Sequence, residues 1–217
     1  DDEKIDFSKH KKEIENSLKD GKTLLYVGYD GKLVGTIGLA DELRANAKES
    51  ILKLRKLGVK NIIMLTGDVK EKAEKIGIEL GVDEVRAELL PKDKADIVKE
   101  LMAQGKKVAF VGDGINDAPA LISAHVGISM SRGADIAKAT ADISLLKDDI
   151  ACVVEAKEYA NKTMSLINTN FNATVGINSG ILLGATFGLF SPIVTAVLHN
   201  GTTIGLLLNS IKGVKLK

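Results

Sequence analysis

Two acidic residues stand four positions apart in the segment Gly112-Asp113-Gly114-Ile115-Asn116-Asp117, directly after an apolar run. The glycines on either side of Asp113 allow the backbone to turn sharply, so that Asp113 and Asp117 can point into one small volume. Carboxylate oxygens suit Mg²⁺, which binds proteins through one or two carboxylates together with water and phosphate oxygens. The spacing therefore predicts a magnesium site, with Asn116 and Gly112 as further binding residues.

A second segment with phosphate-binding character is Thr66-Gly67-Asp68, which also follows an apolar run. Gly67 permits a tight turn, and the Thr66 hydroxyl and nearby backbone N–H groups can donate to a phosphoryl oxygen at a helix start. Between the two segments, Leu90-Pro91-Lys92-Asp93-Lys94 begins a helical pattern, and one of its lysines could neutralise phosphoryl charge. Each segment alone is common in loops or on surfaces, but their order and their position after strands together predict a phosphate site.

The elements that must position these segments alternate between strand and helix. Strands are predicted at 61–65, 84–87, 107–111, 126–129 and 143–145, and helices at about 42–57, 70–80, 92–104 and 118–124. This alternation predicts a parallel sheet with helices on both faces, and ligands of such sheets bind beyond the carboxyl ends of the strands. Upstream, a charged segment favours a helix from about Ser8. Asp30-Gly31 between two β-rich runs, 23–29 and 32–39, predicts a hairpin, which needs a larger sheet to be stable.

The chain of 217 residues consists of two regions that differ in composition. Its net charge of +1 gives no argument for a nucleic-acid partner, and its single cysteine, Cys152, excludes an internal disulfide framework. No charged side chain occurs from Thr163 to Ile211. This stretch divides at 188–192 into two segments of about 20 residues, the length that crosses a bilayer core. The lysines on both sides favour cytoplasmic ends, and a buried helical hairpin in a soluble protein is the alternative.

The segments TGD, PKDK and GDGINDAPAL, continued by residues 126–142, together resemble the phosphorylation domain of P-type ATPases, within the haloacid dehalogenase-like fold. The resemblance covers nearly all of the chain from Leu24 onward. It implies that Asp113 and Asp117 serve Mg²⁺, that Thr66 and Gly67 hold the phosphoryl group, that Lys94 contacts it and that Asp68 fixes the loop. Asp41 and Arg44 are similar to the family's hinge between nucleotide and phosphorylation domains, although an ordinary helix-start pair explains them as well.

The resemblance also implies a missing part. The family's nucleophile is an aspartate in the sequence Asp-Lys-Thr-Gly-Thr, which this chain lacks. Asp30 is superficially similar to the nucleophile of related phosphatases, but the second acid and the threonine of their motif are absent, and a hairpin turn explains Asp30-Gly31. The constellation is therefore expected to bind Mg²⁺ and part of ATP without forming an aspartyl phosphate by itself. The acceptor and most of the nucleotide site are expected in a missing N-terminal part of the same transporter.

The tail resembles the membrane pair that closes heavy-metal P-type ATPases. Residues 198–210 are similar to a His-Glu-Gly-x-Thr…Asn-Ser pattern, with Asn200 in place of the glutamate. An imidazole in hydrocarbon is costly without a task or a partner, and neutral imidazole suits transition metals, so His199 is predicted to bind a transported cation. Asn178, Asn200, Asn209 and Ser210 could add oxygen ligands. Hydrogen bonds between helices are the alternative for all of these residues.

Taken together, the sequence predicts part of an ATP-driven pump that exports a divalent transition-metal cation from the cell. Its expected fold is α/β, a haloacid dehalogenase-like parallel sheet followed by a transmembrane helical hairpin. The expected domains are a nucleotide-domain remnant at 1–40, the phosphorylation domain at 41–160 and the helix pair at 163–212. Membrane lipid and the metal cation are the predicted partners, in a multi-pass cell-membrane protein with a cytoplasmic phosphorylation domain. A soluble Mg²⁺-dependent phosphatase and a non-catalytic partner of a complete transporter are the alternatives.

Overall fold

The computed structural model describes residue 14 and residues 23–39, 43–112, 115–131 and 135–213. The helix predicted from about Ser8 lies outside these residues, apart from Ile14, which is helical. The chain divides into two compact units, one formed by residues 1–52 and 60–146 and the other by residues 53–59 and 147–217. The described strands belong to the first unit, and the two longest helices belong to the second.

The first two strands form the predicted hairpin. β1 (Thr23–Tyr29) pairs antiparallel with β2 (Lys32–Leu39), and Tyr29 lies opposite Lys32 at the turn. Asp30 and Gly31 both adopt left-handed backbone angles, with φ of 49° and 70°, as a tight two-residue turn requires. Leu33 is buried, but apolar side chains on both strands stay exposed, among them Leu25, Tyr26, Val34 and Ile37. The ribbon therefore leaves apolar surface uncovered within the described residues.

The remaining elements of the first unit alternate between helix and strand. They are α1 (Ala47–Lys56), β3 (Ile63–Leu65), α2 (Lys70–Leu80), β4 (Glu84–Arg86), α3 (Pro91–Ala103), β5 (Ala109–Gly112), a 3₁₀ turn (Ile115–Asp117), α4 (Ala118–Ser123), β6 (Val126–Ser129), α5 (Asp135–Thr140) and β7 (Ile143–Ser144). β3 pairs in parallel with β4, and β5, β6 and β7 form a parallel sheet in that order. The α/β alternation and the parallel pairing are confirmed.

The parallel strands differ from the prediction in one respect, because they form two separate sheets rather than one. No strand among the described residues hydrogen-bonds to both β3 and β5. The start of one helix also differs. α1 begins at Ala47 rather than near residue 42, after a turn in which the Ala47 N–H donates to the Arg44 carbonyl at 2.9 Å. α5 and the 3₁₀ turn were not predicted, since six and three residues are too few to show a helical period.

The core of the first unit is built by α3, α4 and β5. Its buried cluster consists of Ala95, Val98, Phe110, Ala120 and Leu121. Gly127 on β6 is required by this packing, because a Cβ there would lie 2.6 Å from the Leu121 carbonyl oxygen. Burial of apolar side chains contributes about 25 cal/mol for each Å² removed from water. The cluster thus fixes the helix that carries Lys94 and the strand that ends at Gly112.

The second unit contains a helical hairpin. α6 (Ala151–Thr186) has 36 residues and α7 (Pro192–Gly213) has 22. The break between them falls where the sequence predicts it, with Gly188 in a left-handed conformation (φ 74°) and Pro192 opening α7. α6 begins in the charged segment before Thr163, where Asn161 donates to the Leu57 carbonyl at 2.9 Å. Within the described residues, neither of these helices nor any other combines the length and hydropathy of a membrane span.

Candidate functional site

The Thr66–Asp68 loop follows the carboxyl end of β3. The Thr66 hydroxyl accepts a hydrogen bond from the Asp68 N–H at 3.1 Å, which closes the loop on itself. The Asp68 carbonyl accepts from the Glu88 N–H at 2.9 Å, and the Thr66 carbonyl accepts from the Leu89 N–H at 3.1 Å. These hydrogen bonds attach the loop to the segment that follows β4, and the sequence did not predict this attachment.

Lys94 and Asp117 form an ion pair that is largely shielded from water. The Lys94 Nζ lies 2.8 Å from Asp117 Oδ1, and the two side chains are 17% and 12% exposed. Lys94 lies in the first turn of α3, where the Asp93 carboxylate accepts a hydrogen bond from the Leu90 N–H at 2.9 Å. Removing one partner of such a pair would leave the other charge poorly solvated. The two predicted site residues are thus brought together, although 23 positions separate them.

Gly112 is required by the approach of Asp117 to the end of β5. A Cβ at this position would lie 2.7 Å from the Asp117 Cβ and 2.9 Å from its Oδ2. Only glycine leaves this space, so the Asp117 carboxylate lies directly against the strand end. Asn116 is exposed beside it, in the 3₁₀ turn. Asp113 lies outside the described residues, and no group of three or more His, Cys, Asp or Glu placed to hold a metal occurs within them.

The hairpin of the second unit carries a separate polar pair. His199 Nδ1 lies 3.0 Å from Asn178 Oδ1, so the structure brings two of the predicted cation ligands together. Asn200 is exposed and takes no part in that hydrogen bond. Asn209 and Ser210 take part in a second contact between the helices, and their common partner Asn170 was not predicted. Asn170 donates to the Ser210 hydroxyl at 2.7 Å and accepts from the Asn209 side chain at 2.8 Å.

The structure also locates two further residues singled out from the sequence, Arg44 and Asp30, and gives His125 a structural contact. Arg44 is exposed, and its predicted hinge partner Asp41 lies outside the described residues. Asp30 lies in the β-hairpin turn, as its turn interpretation predicts. The His125 ring accepts a hydrogen bond from the Val108 N–H at 3.3 Å, which ties two neighbouring strands together.

Comparison with known proteins identifies the fold. A family model described as haloacid dehalogenase-like hydrolase matches residues 2–125, which is more than half of the chain. The chain belongs to the haloacid dehalogenase-like hydrolase family. Ligands of parallel α/β sheets bind beyond the carboxyl ends of the strands. Thr66 follows the end of β3, and Asp117, paired with Lys94, lies against the end of β5.

The resemblance to heavy-metal P-type ATPases is also confirmed by relatives of this haloacid dehalogenase-like chain. It is 39% identical over 218 residues to a zinc-exporting P-type ATPase of Mycobacterium marinum, and 39% identical to a manganese-exporting P-type ATPase of Mycobacterium leprae. Each match covers 99% of this chain and 30% of the relative, so the chain spans less than a third of their length. The chain is also similar to a crystal structure of a zinc-transporting PIB-type ATPase, at 34% sequence identity and a TM-score of 0.80. The match covers 96% of this chain and 34% of the chain in that structure.

The haloacid dehalogenase-like domain contains supporting residues that sequence reasoning missed. Arg86, at the end of β4, donates to Glu84 at 2.6 Å and to Glu100 on α3 at 3.3 Å. The hydrogen bond to Glu84 raises the pKa of Arg86 above its ordinary value, and Glu100 adds to this. Asp93 could have been recognised, because an acid at the third helical position is a capping signal. Nothing local marks Arg86, since its partners are set by the fold.

Proposed function

We propose that this chain is part of an ATP-driven pump that exports a divalent transition-metal cation through an aspartyl-phosphate intermediate. The acceptor aspartate belongs to another segment of the complete protein. The observation that carries the proposal is the shielded Lys94–Asp117 pair beside Gly112, in the family to which the chain belongs. A paired lysine and carboxylate at converging strand ends suit a phosphoryl group that gains and loses charge during transfer.

Each predicted residue has a distinct task in this proposal. Thr66 and Gly67 hold phosphoryl oxygens, and the hydrogen bond between Thr66 and the Asp68 N–H keeps that loop closed. Lys94 contacts the same group and balances its charge while the acceptor oxygen bonds to the γ-phosphorus and the bond to ADP breaks. In this arrangement the Lys94 ammonium is shared between the phosphoryl group and Asp117, and the 2.8 Å contact between Lys94 and Asp117 supports it.

The described residues fit a magnesium ion. The Asp117 carboxylate lies against Gly112, where a side chain would fill the space, and its oxygen donors are those that Mg²⁺ prefers. We propose that Asp117 and Asp113 hold the ion, with Asn116 and Gly112 at its edge. Bound Mg²⁺ supplies positive charge that stabilises the transferring phosphoryl group. ATP is the proposed phosphoryl donor, and most of its binding site lies on other segments.

The arrangement of the strands supports a position for the acceptor aspartate. Parallel strands of this family's fold are expected in one sheet, but β3 and β5 belong to two sheets among the described residues. This separation supports the insertion of a further strand, with an aspartate at its carboxyl end, between β3 and β5. The uncovered apolar side chains of the β1–β2 ribbon similarly favour more nucleotide-domain strands beside them.

A chimaera tests the phosphorylation proposal. The part of the Mycobacterium marinum relative that matches this chain is replaced by the chain, and phosphoenzyme formed from radiolabelled ATP is measured. We expect acid-stable phosphoenzyme in the chimaera and none in the chain alone. Lys94→Ala should lower the phosphorylation rate by about 100-fold, because a preorganised charge at the reacting group is lost.

Lys99→Ala is the matched control, since Lys99 lies on the same helix with a side chain 64% exposed. It should phosphorylate normally. Equal rates in both lysine variants would remove Lys94 from the site and with it the basis of the proposal. Mg²⁺-dependent phosphate release by the chain alone that disappears in Asp30→Asn would replace the pump by a phosphatase. Binding of the chain to a complete transporter, with no phosphoenzyme in the chimaera, would favour a non-catalytic partner.

We further propose that the hairpin of α6 and α7 lies in the lipid bilayer of the cell membrane, with the phosphorylation domain in the cytoplasm. Neither helix is long and apolar enough to be recognised as a membrane span, so the proposal of a membrane location depends on other observations. Large apolar side chains on both helices are exposed, including Phe171, Leu182, Ile193 and Leu207. No charged residue interrupts the stretch from Thr163 to Ile211. Lipid would cover these side chains. Several hydroxyl groups of the two helices donate within their own helix, as Thr174 does to the Asn170 carbonyl at 2.7 Å.

The proposed cargo is a divalent transition-metal cation as a class, because relatives described as zinc- and manganese-exporting are equally identical to this chain. The pairing of His199 with Asn178 supports a ligand role for both, with Asn200 as the adjacent oxygen donor. His199→Ala in the chimaera should weaken Zn²⁺-stimulated phosphorylation, measured as a higher half-saturating metal concentration. An unchanged metal dependence would assign His199 to helix packing alone.

A further inference from the structure

The segment Arg86–Leu90, here named the connector, joins β4 to α3 and contacts the Thr66–Asp68 loop along its length. The Thr66 N–H donates to the Arg86 carbonyl at 3.0 Å, the Leu89 N–H to the Thr66 carbonyl at 3.1 Å, and the Glu88 N–H to the Asp68 carbonyl at 2.9 Å. The first of these hydrogen bonds extends the β3–β4 pairing by one residue, and the other two join the loop to the part of the connector that lies beyond β4. Backbone contacts of this kind fix a position whatever the side chains are.

Glu88 has the conformation on which this arrangement depends. Its φ is 57°, in the left-handed region, and besides Asp30 it is the only residue other than glycine with a positive φ among the described residues. Its side chain is exposed, so burial does not explain the conformation. A left-handed backbone at a residue with a Cβ persists only where the surroundings determine it strongly, and such residues concentrate at functional sites. Here the surroundings are the hydrogen bonds of Glu88 and Leu89 to the loop.

The connector is also attached to the helix that carries Lys94. Leu90 is the last residue before α3, and its N–H donates to the Asp93 carboxylate at 2.9 Å. At the other end, the Arg86 side chain reaches Glu100 on α3 at 3.3 Å. The connector consequently sets the distance between the loop that contains Thr66 and the helix turn that contains Lys94. The loop and the connector are also closely packed, since a Cβ on Gly67 would lie 3.3 Å from the Leu89 carbonyl oxygen.

We propose that Glu88 is a positioning residue for the phosphate site, acting through its left-handed backbone rather than through its carboxylate. The inference rests on the proposed function, because the connector is taken to set the spacing of Thr66 and Lys94, which are proposed to hold the same phosphoryl group. A residue that resists this conformation at position 88 tilts the Glu88 and Leu89 N–H groups away from the loop. Thr66 and Lys94 then no longer converge.

The test titrates the ¹⁵N-labelled chain in detergent micelles with inorganic phosphate in the presence of Mg²⁺, and follows the amide signals of residues 66–68. Glu88→Val, which disfavours a positive φ, should weaken phosphate binding by about tenfold and speed hydrogen exchange at Leu89. Glu88→Gly, which adopts this φ freely, should bind as tightly as the unmodified chain. Glu88→Gln, which keeps the size and removes the charge, should also bind normally.

Asp30→Val is the matched control, because Asp30 has the same backbone conformation (φ 49°) in the β-hairpin turn. It should lower the unfolding temperature as Glu88→Val does, with unchanged phosphate binding. Equal phosphate affinity in Glu88→Val and the unmodified chain overturns the inference and leaves the proposed function standing. A loss of affinity in Glu88→Gln assigns the role to the carboxylate and overturns it also. Failure of the unmodified chain to bind phosphate with Mg²⁺ would instead overturn the proposed function, and the inference with it.

Discussion

The two polar sites of this chain are held by different means. In the α/β unit, Lys94 and Asp117 carry opposite charges, are mostly shielded from water and lie against a glycine that leaves no spare space. In the helical hairpin, the contacts of Asn170 and of His199 with Asn178 join half-buried or exposed side chains of long helices and involve no carboxylate. The first site depends on charge balance and close packing, whereas the second depends on hydrogen bonds between neutral groups.

This difference fits the chemistry proposed for each region. A phosphoryl group changes its charge as it is transferred, so its site needs fixed charges of opposite sign at short distance. A cation that passes through must bind and leave, and neutral imidazole and amide groups bind it without holding it too strongly. Substitutions in the α/β site should therefore cost more stability than substitutions in the hairpin, in the order given below.

The largest loss of stability is expected for Gly112→Ala. The new Cβ would lie 2.7 Å from the Asp117 Cβ, so either β5 or the 3₁₀ turn must move. Overpacking of this kind should lower the free energy of unfolding of the α/β unit by about 3 kcal/mol, measured by urea denaturation. Gly35→Ala is the control, because a Cβ there meets nothing within 4 Å, and should cost less than about 1 kcal/mol. Equal losses in the two variants would contradict close packing at Gly112.

A smaller loss, about 2 kcal/mol, is expected for Lys94→Met, which leaves the Asp117 carboxylate without its partner. The value is reduced from that of a fully buried pair, since the two side chains remain 17% and 12% exposed. Asp117→Asn should cost a similar amount, and the double variant less than the sum, measured as a double-mutant cycle by urea denaturation. The pair of Lys99 and Asp96, 3.9 Å apart and more than half exposed, should show almost no coupling. Additive effects at Lys94 and Asp117 would show that the charges do not stabilise one another.

Much of the α/β unit could be predicted because its signals are local. The Asp30-Gly31 turn, the glycines beside β5 and the capping acid Asp93 each act within a few residues of their own position. The two-sheet arrangement could not be predicted, since it depends on which strands are available to pair. The left-handed Glu88 carries no local signal either, because glutamate is not a residue type that favours this conformation.

The candidate site shows the same division. Its residues were found from their types and order, but which of them touch was decided by the fold, as the contact of Lys94 with Asp117 across 23 positions illustrates. In the hairpin, the sequence selected His199 and Asn178 and also Asn209 and Ser210. It missed Asn170, which lies 39 and 40 positions from Asn209 and Ser210. A polar residue in an apolar helix can be recognised, whereas its partner on another helix requires the register of both.

An intermediate effect, about 1 kcal/mol, is expected when Asn170 is replaced by Ala. Its side chain makes two of the hydrogen bonds that join α6 to α7, and such bonds between apolar helices contribute modestly. The measurement is the unfolding of the chain in detergent followed by helical circular dichroism. Asn172→Ala provides the control, because Asn172 is an exposed asparagine two positions further along the same helix. A loss at Asn170 larger than that at Lys94 would reverse the comparison between the two regions.

The smallest effect is expected for Arg86→Lys, which keeps the charge and loses the geometry of the contacts with Glu84 and Glu100. Both acids are about half exposed, with side chains 44% and 53% accessible, so water and salt screen the pairs and the loss should be about 0.5 kcal/mol. The hydrogen bond to Glu84 raises the pKa of Arg86 above its ordinary value, and a raised pKa stabilises the fold at every pH below that ordinary value. This contribution to stability disappears only as the pH rises through the pKa that Arg86 has in the folded state, which is higher still. The difference between Arg86→Lys and the unmodified chain should therefore stay constant from pH 7 to about pH 9, where lysine also keeps its charge, and should shrink in 1 M salt. A difference that varies with pH in this window would assign the titrating group to a residue other than Arg86.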